Sequence, residues 1–435
     1  MSPNPSSGTI NRLIITTYKQ ETNVRVTNKG INTVNTYLIK ANDYISLPIP
    51  DAMRLELNGT YSRITNIVAD QEVSVAVYQG SPNRQDGYRA LPVTVYDKEY
   101  ITAHYSTSDT AIGFAIVAIE DNTDISILPP TSISYQDLTA NSTTPMNITL
   151  NRHKVFHYAT IANLTGTLIT ANKPVAVFGY NEATKIPLNY NGSDYLIAQY
   201  LATKYFGSSY ILTRFPLRAN STFRIIAAQD NTVIRSDSAI LATINKTKFF
   251  ELTLNTAIQD LFCTPSCLVV AFSHGYSTDN TTSDPSMTIV PSSFQYMRDY
   301  SLYFINQTEF GVDTAYIIVM MESTYKLNLR IDNAVVSTNT GWSTVMMSGV
   351  SYDATSIPVT KSHHIVNFFG AGMLGLLQYG QSGRYGAYSL PGGFLFPTFF
   401  RCKYATHVFK ASHTITCNSQ IIIVNLSYIS SVKFK

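Results

Sequence analysis

A short apolar run repeats along this chain. Val175-Ala176-Val177-Phe178 follows Asn172-Lys173-Pro174, Val75-Ala76-Val77-Tyr78 lies upstream, Val269-Val270-Ala271-Phe272 lies downstream, and Leu374-Gly375-Leu376-Leu377 is a weaker fourth copy. Proline cannot donate to a β-ladder and sits most easily at the first residue of a strand. Residues 166–180 therefore read as two short strands broken at Asn172-Lys173-Pro174. The run itself suits a strand buried on both faces. The rest of the chain is organised around these four runs.

Two other features recur with the run, in the same order. One is a hairpin. Phe114-Ala115-Ile116-Val117-Ala118-Ile119, Glu120-Asp121-Asn122 and Thr123-Asp124-Ile125-Ser126-Ile127 read as strand, turn and strand. Asp and Asn tolerate the positive φ of tight turns. Residues 223–234 repeat the pattern around Gln229-Asp230-Asn231, and residues 13–26 and 316–331 are looser copies. The other feature is a polar turn between strands: Lys40-Ala41-Asn42-Asp43, Asn151-Arg152-His153-Lys154, Asn245-Lys246-Thr247-Lys248 and Lys361-Ser362-His363-His364. These recurrences divide the chain into a polar N-terminus, 1–10, four β repeats at 11–110, 111–215, 216–310 and 311–400, and a C-terminal segment, 401–435, carrying a disulfide hairpin and a strand.

Composition agrees with strands. Charged residues are only 14% of the 435, while Thr, Ser, Asn and 29 Tyr fill the balance, which suits strands and polar turns rather than charged surface helices. The expected fold is all-β. Repeats of about 100 residues fit tandem β-sandwich-like units, and the same strands counted in fours would make a pseudo-symmetric β-propeller of about seven blades. The longer period favours sandwiches. The net charge of +3 comes with no basic run, so no nucleic-acid partner is expected.

The N-terminus has no apolar h-region, and the apolar stretch 368–377 is too short for a membrane span, which takes about 20 residues. Those features alone describe a soluble cytoplasmic chain. Two others point outside the cell. Asn58, Asn141, Asn147, Asn163, Asn191, Asn220, Asn245, Asn280, Asn306 and Asn425 each head an Asn-x-Ser/Thr sequon, a glycosylation signal that a chain rich in Asn, Ser and Thr also produces by chance. Four cysteines fall in two close pairs. Local disulfides, Cys263 with Cys267 and Cys402 with Cys417, are expected; a zinc site uniting both pairs and free buried thiols are the rivals. A secreted chain in mature or truncated form is the resulting expectation.

The motifs also carry a resemblance. Gly113-Phe114-Ala115-Ile116-Val117-Ala118 with Glu120-Asp121-Asn122-Thr123, Leu164-Thr165-Gly166-Thr167, Asn172-Lys173-Pro174-Val175-Ala176-Val177-Phe178, Tyr205-Phe206-Gly207-Ser208-Ser209-Tyr210 and Tyr385-Gly386-Ala387-Tyr388-Ser389-Leu390-Pro391-Gly392-Gly393 resemble the N-terminal domain family of the mucus IgG Fc-binding proteins and their invertebrate relatives. The resemblance covers residues 90–400. It implies a secreted or surface-exposed binding module, often set beside von Willebrand type D modules, with no catalysis and no cofactor. It transfers no binding residues, and immunoglobulin binding by this chain would be analogy at the level of the fold.

A search for chemistry returns little. His153 and His157 have a helical metal spacing but fall in a turn and a strand, and the neighbours His363 and His364 face opposite sides of a strand. Asp121-Asn122-Thr123-Asp124 has oxygen ligands for calcium, yet a plain hairpin turn explains it. Gly-x-Ser-x-Gly and phosphate-loop motifs are absent. Trp342 is either a loop aromatic that binds or a core anchor. No catalytic, metal or cofactor residue is assigned. The leading expectation is a non-catalytic adhesion module that holds extracellular glycoproteins or mucin-like molecules through tyrosine-rich faces, in weak contacts shared across repeats. The alternative is a carbohydrate-binding or carbohydrate-active β protein; its acids would come from Asp194, Asp299 and Glu309 and would have to face one cleft. A structural spacer is the third reading.

Overall fold

The computed structural model describes residues 10–81, 84–106, 110–237, 239–279, 283–305, 312–382, 386–396 and 420–424. The fold is all-β, made of tandem sandwich-like repeats. Four lead strands, Ile10–Thr17, Ile112–Ala118, Ser221–Ala227 and Val312–Glu322, share one pairing scheme. Each pairs on one side with a return strand, respectively Tyr44–Pro48, Val155–Thr160, Phe249–Leu254 and Val350–Val359. On the other side each pairs with the strand that carries the apolar run: Val73–Ser81, Leu168–Lys185, Ile258–Ser273 and Leu374–Ser382. That run strand then pairs with a short inner strand, Arg84–Arg89, Ser193–Gln199, Met287–Ile289 or Ala387–Pro391. These pairings give four such assemblies, one in each repeat.

The recurring motifs meet in space. In the second repeat Arg152 N–H donates to Asp121 Oδ1 (3.0 Å) and Asn122 N–H to Asn151 Oδ1 (3.1 Å). In the third, Lys246 N–H donates to Asp230 Oδ1 (3.0 Å) and Asn231 N–H to Asn245 Oδ1 (3.2 Å). The hairpin turn and the polar turn are two halves of one latch. Asn42, His153 and Thr247 hold the same turn position with φ of 54°, 65° and 68°. The fourth repeat departs from this. Lys361-Ser362-His363-His364 follows the return strand instead of preceding it, and residues 323–328 form a 3-10 turn where a tight hairpin was expected.

The break at Asn172-Lys173-Pro174 also needs correction. Leu168–Lys185 is one continuous strand that changes partners there. Residues 168–171 pair with Thr123–Leu128, and residues 175–181 pair with the lead strand. Residues 171–174 bulge opposite the single residue Lys98. Bulges bend strands and let them pass between sheets. The third repeat has the same bulge, residues 263–266 opposite Ser208, and here the Cys263–Cys267 disulfide spans it, with Cα atoms 5.8 Å apart. That bond leaves neither thiol for zinc. Cys402 and Cys417 lie outside the described residues.

Consecutive apolar residues are explained by two-sided burial. Leu13 and Ile15 enter one core while Ile14 enters another. Ile225 and Ile226 divide in the same way, as do Ile318 and Val319. The cores are thus shared between repeats; the largest joins residues of the first three repeats with Ile422 and Ile423.

The four inner strands pack in closed order, Arg84–Arg89 against Ser193–Gln199, then Met287–Ile289, then Ala387–Pro391, and back to the first. One side chain, Asp86, bonds all four. Asp86 Oδ1 accepts N–H bonds from Gly87 (2.9 Å) and Ser389 (3.1 Å). Its Oδ2 accepts from Ile197 (3.2 Å) and Met287 (3.0 Å). These donors are equivalent: each lies three residues before the N–H, of Ala90, Tyr200, Val290 or Gly392, that bonds the run strand. Burial pushes the Asp86 carboxyl up, and the four N–H bonds oppose it. A proton on either oxygen would displace a donor, so the site is built for the carboxylate. Removing the carboxylate strands four buried donors, each costing about 1–3 kcal/mol. Asp86→Ala should therefore lose about 4 kcal/mol or more in urea unfolding, and Asp86→Asn, which can satisfy only half the donors, about 2–4 kcal/mol. A loss under about 1 kcal/mol in both would show that the axis does not depend on this group.

Candidate functional site

Tyrosine was expected on binding faces. It is instead mostly buried: Tyr78, Tyr88, Tyr100, Tyr195, Tyr200, Tyr210, Tyr300, Tyr379 and Tyr388 are among the largest fully enclosed side chains. Three of them make one recurring joint. The hydroxyls of Tyr100, Tyr210 and Tyr300 accept the N–H three residues earlier, of Asp97, Gly207 and Met297, at 3.0, 2.9 and 3.1 Å. They donate to the carbonyls of Val175, Cys267 and Leu374 at 2.7, 2.5 and 2.5 Å. Val175 and Cys267 follow the two bulges directly, so there the phenols fix the bulge to the preceding strand. Other rings cover strand glycines; Tyr180 lies over Gly113 and Tyr200 over Gly179, where an added Cβ would run into the phenol oxygen. The spacing of Tyr100, Tyr210 and Tyr300 was a legible signal that motif reading passed over.

The candidate acids do not converge. Asp194 is buried at the axis, where its carboxylate accepts N–H bonds from Gln85 (2.5 Å), Tyr195 (2.7 Å) and Ala387 (3.0 Å). Asp299 belongs to another sheet, paired with Lys19 Nζ at 3.2 Å and bonded by Asn367 Nδ2 at 2.7 Å. Glu309 lies outside the described residues. His153 is in its turn and His157 in its strand, with ring nitrogens 2.8 Å from Leu57 O and 2.9 Å from Tyr180 Oη. His363 meets Ser301 Oγ (2.9 Å), while His364 meets Asp332 Oδ2 (2.6 Å). Asp121 and Asp124 are consumed by Arg152 N–H, Thr149 Oγ1 and Asn172 Nδ2. Among the described residues, no group of three or more His, Cys, Asp or Glu could hold a metal ion. No helix among them is long and apolar enough to cross a membrane.

Of the sequon asparagines, Asn147, Asn163, Asn191 and Asn245 are exposed, while Asn58, Asn141 and Asn220 are partly buried. The Asn58 amide is fully engaged, its Nδ2 on Ala159 O and its Oδ1 on Ala159 N–H. Asn280, Asn306 and Asn425 lie outside the described residues. Trp342 is half-buried against a core, with Nε1 on Ser337 O at 3.3 Å and Lys326 Nζ 5.1 Å from its ring centre.

The surface feature that sequence reading missed is apolar. Leu327, Phe369 and Met373 are 64%, 57% and 40% exposed. The 3-10 turn Ser323–Asn328 and the segment 369–373 run side by side, joined by Phe369 N–H to Asn328 O (3.1 Å). Arg330 lies 5.8 Å from the Phe369 ring centre. Grouped large apolar side chains at a surface mark contact sites more often than scattered ones do.

Titration follows from burial. Burial pushes the Asp284 carboxyl up to about 7, against the pull of Arg218, Arg84 and the Ser193 N–H, and its Oδ1 has no hydrogen-bond partner. A carboxyl raised in the folded state stabilises below its ordinary pKa and loses that contribution as pH rises through the folded value. Buried His104, His157 and His274 are pushed down to about 3, 4 and 4. Their contribution is present above pH 6.5 and lost as the solution acidifies below it. Wild-type stability should therefore fall towards both pH 4 and pH 8. Asp284→Asn should gain about 2–4 kcal/mol over wild type at pH 8 and less at pH 5, measured by urea midpoints. An equal offset at both pH values would mean that Asp284 is not the titrating group.

Two comparisons bear on identity. A family model described as "IgGFc binding protein" matches residues 86–380. The human (Homo sapiens) "IgGFc-binding protein" is 19% identical over 386 residues, covering 85% of this chain and 7% of the relative. The chain thus spans a small fraction of that relative's length. The matched span holds the axis aspartate, the three tyrosine joints and three of the four apolar runs. On that match, the chain belongs to the IgGFc-binding protein family.

Proposed function

We propose that this chain is a non-catalytic extracellular module that holds glycoproteins, mucus or matrix. Family membership carries the reading. The chemistry of the site agrees with it. Both candidate acids among the described residues are committed to structural bonds, whereas hydrolysis of a glycoside takes two carboxyl groups across one cleft. Contact falls to the Leu327, Phe369 and Met373 surface, with Arg330 beside it. A patch of this size supports weak binding that gains strength through multivalency. Immunoglobulin is one candidate among several extracellular proteins, since the human relative's name speaks only of that relative.

The test is direct binding of the intact secreted chain to purified mucin, matrix glycoprotein and immunoglobulin Fc, immobilised in turn. At least one should bind. The triple variant Leu327→Ser, Phe369→Ser, Met373→Ser should weaken that binding about tenfold or more with its thermal unfolding unchanged. Binding to none of the three, or release of product from any of them, would overturn the reading.

A further inference from the structure

In three repeats the second sheet takes an outer strand from the chain just ahead of that repeat. Asp97–Ile101 pairs with the first part of Leu168–Lys185, Gly207–Thr213 with Ile258–Ser273, and Asp299–Tyr303 with His363–Phe368. In the first repeat the equivalent edge is Thr65–Ala69. Its partner comes from the far end of the described chain, Gln420–Val424. Five residues pair in antiparallel register, from Gln420 opposite Ala69 to Val424 opposite Thr65. Ile422 also bridges to Pro92, and Tyr96 Oη donates to Ile423 O at 2.9 Å. Ile422 and Ile423 are buried in the core shared by the first three repeats.

We propose that the Thr65–Ala69 edge is a strand-acceptor site that takes Gln420–Val424 either from its own chain or from a second copy, giving a strand-exchanged assembly. The three other outer strands run directly into the lead strand of the repeat they complete, so donating one would carry a whole repeat with it. Gln420–Val424 has no such attachment to the first repeat. The contacts made within one chain and between two are the same, so the choice rests on effective concentration alone. An apolar strand and an unpaired buried edge are each costly when left open, which drives the site to be filled from one source or the other. The inference goes beyond the proposed binding activity and does not depend on any ligand. Exchange would place several binding surfaces on one particle.

The register supplies the test, since Val68 lies opposite Ile421. One preparation carries Val68→Cys and another carries Ile421→Cys, both with Cys402→Ser and Cys417→Ser. The two are mixed, briefly loosened in mild denaturant, returned to buffer and oxidised. A disulfide-linked heterodimer should form, and its yield should rise with protein concentration over about a hundredfold range. The double variant Val68→Cys, Ile421→Cys in one chain reports the closed form as an internal disulfide at low concentration. A second measurement uses the chain ended at residue 419 and a peptide of residues 419–425; the peptide should bind the shortened chain one to one and leave the intact chain unbound. Absence of heterodimer at every concentration, with the double variant closing only on itself, would overturn the exchange. Failure of the internal disulfide to form would overturn the site itself.

Discussion

Four backbone N–H groups point at one place, and a single carboxylate answers them. The inner strands pack around an axis, so each presents an edge donor that no ladder satisfies. A buried backbone donor must find a partner. Symmetric solutions would need four acceptors crowded on the axis. The chain uses one asymmetric residue: Asp86 takes the position that Leu196, Ser286 and Tyr388 hold in the other repeats, and its two oxygens serve all four strands. The repeats are therefore joined at the axis by a residue that only one of them carries at this position.

The cores follow the same logic. A repeat that buried its apolar residues within itself would be an independent sandwich. Here the lead strands of the first, third and fourth repeats send alternate residues into different cores, and every core draws on more than one repeat. Withdrawing a repeat opens a core that it shares with others. This is the behaviour of stacked repeats, whose stability resides in the contacts between units. It also explains why strands that look too apolar for an ordinary sandwich are correct for this one.

Much of this was legible in the sequence, for an identifiable reason. Hairpin turns and apolar runs are local features, and local features survive repetition as visible periods. Glu120-Asp121-Asn122 and Asn151-Arg152 could each be recognised; that they bond one another could not, because nothing in either motif names a partner some thirty residues away. The bulge at Asn172-Lys173-Pro174 reads as a break in sequence because proline marks both. Tyrosine misled for a similar reason. The same ring serves an interface or a core, and composition does not say which. The hydroxyls of Tyr100, Tyr210 and Tyr300 are placed by long-range carbonyls at Val175, Cys267 and Leu374. Only the near-hundred-residue spacing of those three residues was open to inspection.

What remains for recognition is what the frame does not use. Many of the tyrosines and the axis acids Asp86 and Asp194 are spent on the frame. The fourth repeat has replaced its tight hairpin turn with the 3-10 turn Ser323–Asn328, and like the first repeat it leaves its run strand open, here at residues 369–373. Its departure from the shared pattern coincides with the grouped apolar exposure of Leu327, Phe369 and Met373. In the second repeat the polar latch covers the corresponding corner with Asn172 Nδ2 on Asp124 Oδ2 at 2.9 Å. A turn freed from that latch leaves large side chains at the surface, and on the proposed reading of function that is where a partner is held.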